Sequence, residues 1–251
     1  MPETFSSARL RFKAELKLTK RESLRGSMKV RPTTIFFDVG NTLLFPNRER
    51  ILAPLAEHGV VPSTSQWTEI ERRTKLELDA ALIDGCADHE FWANFYEHLL
   101  SELGIEDDIL RTALTDATRQ SANWDKMRPG TKQALLRLGR KYRLGAISNA
   151  DGKIAEVLER CGIAACLRSI TDSGVVGKAK PHPAIFEAAL ATLNARPQES
   201  LYVGDVYSVD YLGATGVGMQ AVLMDVAGVY REREWPRVES LEEVERLLGR
   251  G

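Results

Sequence analysis

The feature that most limits what this chain can fold into is a series of short apolar runs set between helical patterns. Thr33-Thr34-Ile35-Phe36-Phe37, Tyr142-Arg143-Leu144-Gly145-Ala146-Ile147, Ser200-Leu201-Tyr202-Val203 and Gln220-Ala221-Val222-Leu223-Met224 read as strands, with Leu167 to Thr171 a weaker one. Near-continuous apolar runs of this length suit strands buried on both faces of a parallel sheet. Helical spacing falls between them, at about 130–140, 151–161, 182–194 and 208–216, and again at 239–249. Gly162 is placed to end the second of these helices, and Ser240 with Glu243 has capping-box spacing at the start of the last. The alternation predicts an α/β fold built on a doubly wound parallel sheet.

Residues 47–122 interrupt that alternation. Arg50–Glu57, Gln66–Ile83, His89–Leu103 and Asp107–Gln120 carry apolar residues at three- and four-residue spacings, with Gly59, Pro62 and Gly104 between them. Leu76, Leu78, Leu82 and Ile83 mark one predicted apolar face; Phe91, Phe95, Leu99 and Leu103 mark another. The chain thus divides into a basic N-terminal extension (1–31), an α/β core (32–46 and 123–251) and an inserted helical domain (47–122).

Composition narrows the function. Hydrophobic residues make up 43% and charged residues 27%, as in an ordinary globular protein. No apolar run approaches the roughly 18–20 residues that span a bilayer, so no membrane partner is expected. A net charge of -1 argues against a general nucleic-acid binder. The charge is uneven, however: residues 1–31 hold nine Lys/Arg against three Asp/Glu. That stretch lacks the apolar segment of a secretory signal and reads as an extension ahead of the first strand. Cys86, Cys161 and Cys166 are too few and too irregular for a disulfide framework or a zinc site, which fits a reduced, cytoplasmic setting.

Chemistry-bearing residues collect where strands end. Asp38 follows the first strand, Ser148-Asn149 the second, and Gly204-Asp205 another, with Asp210 five residues on. Lys180 lies in the loop Gly177-Lys178-Ala179-Lys180-Pro181-His182-Pro183. In doubly wound sheets ligands bind at the carboxyl ends of the strands. Carboxylates converging there repel one another unless a cation sits among them, and hard oxygen ligands suit Mg²⁺. A lysine and a hydroxyl beside that ion complement phosphoryl oxygens. Small residues at Gly40 and Gly204 would let backbone approach a ligand. Trp67, Trp92, Trp124 and the phenylalanines of the inserted helices read as core, His182 as structural and Lys178 as a surface lysine.

The motifs DVGNT (38–42), ISN (147–149), KAKPHP (178–183) and VGDVYSVD (203–210), in this order and each beside a strand or helix end, resemble those of the haloacid dehalogenase-like hydrolases. The resemblance covers about residues 33–250. It implies a Rossmann-like core with an α-helical cap inserted between the first two motifs. It also implies a hydrolase, with a phosphatase acting on a small phosphorylated metabolite as the leading reading. By that resemblance Asp38 is the nucleophile that becomes an aspartyl phosphate. Ser148 and Lys180 hold phosphoryl oxygens with help from the backbone at Asn149. Asp38, Asp205 and the carbonyl of Gly40 ligate Mg²⁺, and Asp210 supports the metal shell or orients Lys180.

The chain departs from the family pattern at one place. Phosphatases of this kind usually carry a general acid–base Asp two residues after the nucleophile, and here that residue is Gly40, followed by Asn41. General acid–base help is worth roughly 10²–10⁴ in rate, so its substitute becomes a question, with His89 the first candidate. Two alternatives to a phosphatase stand beside it. A 2-haloacid dehalogenase also lacks the second Asp, but those enzymes need no metal and replace the Gly-Asp pair that Gly204-Asp205 keeps. The other alternative is a binding or regulatory protein on the same scaffold.

Overall fold

Phe36 and its neighbours explain the architecture. In β1 (Thr34–Phe37) all four residues are buried, which requires packing on both sides of the strand. The computed structural model describes residues 30–57, 59–85 and 90–249. Residues 1–29 of the basic extension, Cys86 and His89 lie outside them. Around β1 run β2 (Arg143–Ser148), β3 (Ser169–Asp172), β4 (Ser200–Gly204), β5 (Gln220–Met224) and β6 (Arg237–Val238). All pair in parallel, in the order β3-β2-β1-β4-β5-β6. β1 is central: Thr34 faces Arg143 on one side and Ser200 on the other.

Strand residues alternate between faces, and each face has its own apolar cluster. Ile35 and Phe37 pack with Leu135, Leu138, Val157, Leu158, Val244 and Leu248, which belong to helices on one side. These are α6 (Thr131–Leu138), α7 (Ile154–Arg160) and α11 (Leu241–Leu248), numbered in chain order. Phe36 instead meets Ile185, Phe186, Tyr202 and Ala214 on the other side, with α9 (Pro183–Thr192) and α10 (Leu212–Gly216). A further, short helix, α8 (Ser173–Val176), follows β3 directly. The doubly wound parallel sheet expected from the alternation is therefore present.

The helical block consists of α1 (Arg48–Ile51), α2 (Ala53–Glu57), α3 (Thr64–Ile83), α4 (Phe91–Glu102) and α5 (Asp108–Arg119). Ser63 and Gln66 start α3 with a reciprocal capping box, and Asp107 caps α5 through the amide of Leu110 at 2.9 Å. The block has its own core, in which Leu55, Trp67, Phe95, Tyr96, Leu99 and Leu114 are buried together. Its two connections to the sheet run side by side. The amide of Phe45 donates to the carbonyl of Lys126 at 2.7 Å, and that of Asn47 donates to Asn123 at 2.8 Å.

Three local expectations change. The inward face of α3 carries Trp67, Ile70, Thr74, Lys75, Leu78 and Asp79, while Leu76 points out at 44% exposure. The leucine spacing was misleading because half of this helix lies over the charged end of the sheet rather than over apolar core. Residues 208–216 do not form one α-helix. They begin as a π-turn at Tyr207–Tyr211 and only then become α10, a wide turn of a kind often found at functional sites. The two-residue β6 was not anticipated, since two residues leave no period. At the start of α11, Ser240 caps the amide of Glu243 as expected, but the Glu243 carboxylate reaches back to the amide of Glu239 at 2.8 Å instead of closing the box. Gly162 does end α7 with a left-handed backbone, φ 70°.

Gly145 in β2 has no room for a side chain. An added Cβ would lie 2.7 Å from both Phe36 Cδ1 and Ser169 Oγ. Gly145→Ala is expected to destabilise by about 1–3 kcal/mol, the usual cost of overpacking. Urea denaturation checks this, and an unchanged midpoint would contradict it.

Candidate active site

The end of β1 sets the position of Asp38. Its amide donates to the carbonyl of Val203 at 2.8 Å, so its side chain emerges at the carboxyl edge of the sheet between β2 and β4. Asp205 and Asp210 arrive from the segment after β4. The three carboxylates are buried, and an oxygen of each lies within 4.8 Å of the others. The π-turn makes this possible by folding Asp210 back, so that its Oδ2 accepts from the amides of Asp205 and Val206, both at 3.0 Å.

Lys180 lies at the centre of the group. Its Nζ donates to Asp38 Oδ1 at 2.5 Å, to Asp210 Oδ1 at 2.8 Å and to the hydroxyl of Tyr202 at 2.9 Å. The Tyr202 hydroxyl in turn donates to Asp210 Oδ1 at 3.1 Å. Asn149 holds the lysine's backbone from both sides. Its Oδ1 accepts from the Lys180 amide at 2.7 Å and its Nδ2 donates to the Lys180 carbonyl at 3.0 Å. Asn149 thus contributes a side-chain clamp on the Lys180 loop, a contact the sequence reading did not foresee. Ser148, at the end of β2, lines the same crevice as Asp38, Gly40, Lys180 and Asp205. All the residues singled out by motif therefore meet in one place, Asp210 as the partner of Lys180. Lys178 is exposed, and His182 caps α9 through the amide of Ala184 at 3.1 Å.

Two residues outside the motifs belong to this group. Tyr202 reads as strand core in sequence, and nothing there distinguishes its hydroxyl. Lys75, on α3, places its Nζ 2.7 Å from Asp205 Oδ2 and 2.7 Å from Glu71 Oε1, with its side chain 4% exposed. A lysine amid a helical pattern reads as solvated, and only its buried position reveals it.

At both glycines of the site a neighbouring side chain occupies the space a Cβ would take. A Cβ on Gly204 would strike the Asp210 carboxyl, 2.5 Å from Cγ. At Gly40 a Cβ would meet the Trp124 ring at 3.2 Å. Gly40 is not left-handed; Asn41 is the residue with positive φ, 53°. Trp124 is held in turn by its Nε1, which donates to the Thr118 carbonyl at 2.7 Å, and by Trp92, 5.6 Å away between ring centroids. Where family phosphatases usually place an acid, an indole stands. Of the tryptophans and phenylalanines expected in the core, Trp67 and Phe95 are there and Trp92 packs against it, while Phe91, Trp92 and Trp124 line the crevice with Leu78 and Arg119. The crevice volume is about 500 Å³.

Electrostatics follow from so much buried charge. Burial, together with Asp210 and Asp205, pushes the Asp38 carboxyl up to about 8, against the pull of Lys180. Burial likewise raises Asp205, opposed by Lys75. For Lys180 and Lys75 burial works against the charge, but the paired carboxylates outweigh it and hold both ammonium groups above the ordinary lysine value. Hard carboxylate oxygens in excess, facing one another in a buried crevice, are a donor set that fits a divalent cation such as Mg²⁺. The acids that come together are Asp38, Asp205 and Asp210, and Gly40 lines the same crevice.

The chain belongs to the haloacid dehalogenase-like hydrolases, whose sequence profile matches residues 32–218. It is 37% identical over 207 residues to glyceraldehyde 3-phosphate phosphatase of Methanothermobacter thermautotrophicus, covering 80% of this chain and 88% of that relative. Haloacid dehalogenase-like hydrolase domain-containing protein 3 of Xenopus laevis is 28% identical over 205 residues, 76% of this chain and 83% of that protein. Among solved structures, the putative HAD-hydrolase YfnB from Bacillus subtilis, bound to magnesium, matches with a TM-score of 0.67 at 21% identity over 87% of this chain and 99% of that one. The L-2-haloacid dehalogenase of Xanthobacter autotrophicus matches at 0.58 and 18%, over 87% and 98%. Likeness at these structural identities shows the shared fold.

The raised pKa of Asp38 gives a signed expectation. An acid whose folded-state pKa lies above its unfolded value of 3.8 favours the native state when protonated. That contribution is whole below about pH 4 and is lost as pH rises through about 8. In chelator-treated protein, Asp38→Asn should therefore raise the thermal midpoint relative to wild type near pH 9, and the difference should shrink toward pH 5. A difference that does not vary with pH would contradict the assignment.

Proposed function

We propose that the chain is a Mg²⁺-dependent phosphatase that cleaves a small phosphorylated metabolite through an aspartyl phosphate on Asp38. The observation that carries this reading is the cluster of Asp38, Asp205 and Asp210. By the family resemblance a 2-haloacid dehalogenase needs no metal and replaces the Gly-Asp pair, which this chain keeps as Gly204-Asp205 with Asp205 beside Asp38. A carboxylate attacking a phosphate monoester meets repulsion, because both are anions. Mg²⁺, when bound, supplies positive charge that screens this repulsion and lowers the pKa of the nucleophile. The kinship with a glyceraldehyde 3-phosphate phosphatase supports the same choice.

The roles of the side chains follow from their places. Asp38 attacks phosphorus and displaces the leaving oxygen. Lys180, kept charged by Asp38 and Asp210, and Ser148 meet the phosphoryl oxygens. Asn149 fixes the backbone of Lys180, and Tyr202 with Asp210 fixes its ammonium. The helices of residues 47–122 act as a cap whose Phe91, Trp92 and Leu78 line the crevice above the carboxylates and limit bulk solvent there, leaving room for the one water that hydrolysis consumes. Water then attacks phosphorus, releases phosphate and regenerates Asp38.

Screening a panel of phosphorylated metabolites for phosphate release, with Mg²⁺ and with chelator, tests the proposal. Release is expected only with Mg²⁺, and Asp38→Asn and Asp205→Asn should each lower it by about 10³ or more. Metal-independent halide release from a 2-chloroacid would overturn the proposal, as would silence across the panel.

The indole against Gly40 generates a second expectation. With no side-chain acid at position 40, the leaving oxygen departs with little proton help. Aryl phosphates should then exceed alkyl phosphates in kcat/KM by roughly the 10²–10⁴ that general acid catalysis supplies. Gly40→Asp alone should not close that gap, because Trp124 holds the space. Pairing it with Trp124→Ala should narrow the gap. Equal rates for aryl and alkyl substrates in the wild type would show that another acid serves.

A further inference from the structure

Lys75 is the only charged side chain of α3 that reaches the carboxylate cluster among the described contacts, and no motif accounts for it. It does not act alone on that helix. One turn further on, Asp79 accepts from the amide of Ser208 at 2.8 Å and from the hydroxyl of Tyr230 at 2.9 Å. The Tyr230 hydroxyl accepts from the amide of Tyr207 at 3.0 Å. Near the other end of the contact, Arg72 Nε donates to the carbonyl of Ala227 at 2.6 Å. One face of α3 thus grips the segment 205–208 and the loop behind it. That segment also carries Asp205.

Two cations have a claim on Asp205. The Lys75 ammonium already lies 2.7 Å from its Oδ2, and Glu71 offers the same ammonium a second partner at 2.7 Å. A divalent ion ligated by Asp205 would stand close to that ammonium, and like charges in a buried site repel strongly. Lys75 can yield by withdrawing toward Glu71, but it is fixed to α3, so its withdrawal loosens the grip of the helix on residues 205–208.

We propose that Lys75 is a positioning residue that sets ion binding at Asp205 against the seating of α3 on the core. Its ammonium is a tethered rival of the divalent ion. This rests on the reading of Asp205 as a metal ligand. Linkage makes the effect reciprocal: whatever factor the ion loosens the helix by, freeing Asp205 from Lys75 tightens the ion by the same factor.

The test measures Mn²⁺ and Mg²⁺ affinity directly, by electron paramagnetic resonance and calorimetry on the full chain after chelation. Lys75→Met should tighten binding about tenfold, within the usual range of such couplings. Glu71→Gln, nearly isosteric, leaves Lys75 to Asp205 alone and should weaken binding. Arg119→Met removes a crevice cation that makes no contact with Asp205, and should shift affinity less than twofold. Hydrogen exchange supplies the readout that mere field effects would not move. Adding ion to wild type should speed exchange in α3 and at the amide of Ser208, and this response should vanish in Lys75→Met. Asp205→Asn separates the two ideas. If it leaves affinity unchanged, the metal reading fails; if it abolishes binding while Lys75→Met has wild-type affinity and wild-type exchange, only the coupling is overturned. Should Lys75→Met not fold, Glu71→Gln decides, and unchanged affinity there also overturns the coupling.

Discussion

Charge that cannot reach water governs the carboxyl end of this sheet. Asp38, Asp205 and Asp210 are brought within a few ångströms of one another, and two lysines, Lys180 and Lys75, hold them there. Like charges so placed would drive the loops apart without those partners. Many nearby features answer to that need. The π-turn returns Asp210 to the amides of its own loop, Tyr202 gives up core space for a hydroxyl, and Asn149 secures the backbone from which Lys180 reaches in. The arrangement is at once costly to the fold and ready for a cation and an anionic substrate.

The same end of the sheet shows how chemistry and packing constrain one another. Position 40 lacks an acid, and the space is taken by an indole anchored to the backbone of Thr118. The indole belongs to the return connection from the helical block, and it stacks edge-on with Trp92 of α4. A change at position 40 is therefore also a change in how the block meets the core.

Much of this was legible in the sequence. Strands buried on both faces announce themselves as apolar runs, and the residue after each run is where a doubly wound sheet presents its ligands, so Asp38, Ser148 and Asp205 could be placed without coordinates. Lys180 and Asp210 followed from motif. What escaped has a common cause. Lys75, Asp79 and Tyr202 act through atoms buried at a junction between distant elements, and periodicity reports only which way an element faces if its neighbour is apolar. On α3 the neighbour is partly charged, so Lys75 and Asp79 share the inward face with Leu78, while Leu76 of the expected leucine face points out. Trp92 and Trp124 failed in the converse way: large aromatic residues signal burial, but a crevice wall buries them nearly as well as a core.

The paired connections between block and sheet have a consequence for the family's diversity. Phe45 and Lys126 are hydrogen-bonded to each other, so the chain leaves the core and comes back at the same spot. Everything from residue 46 to residue 125 is, topologically, a loop closed at its neck. Such a loop can be lengthened, replaced or lost without altering the order or register of any sheet strand. Selection can rewrite the roof over the crevice while the floor, with its carboxylates and Lys180, is inherited intact.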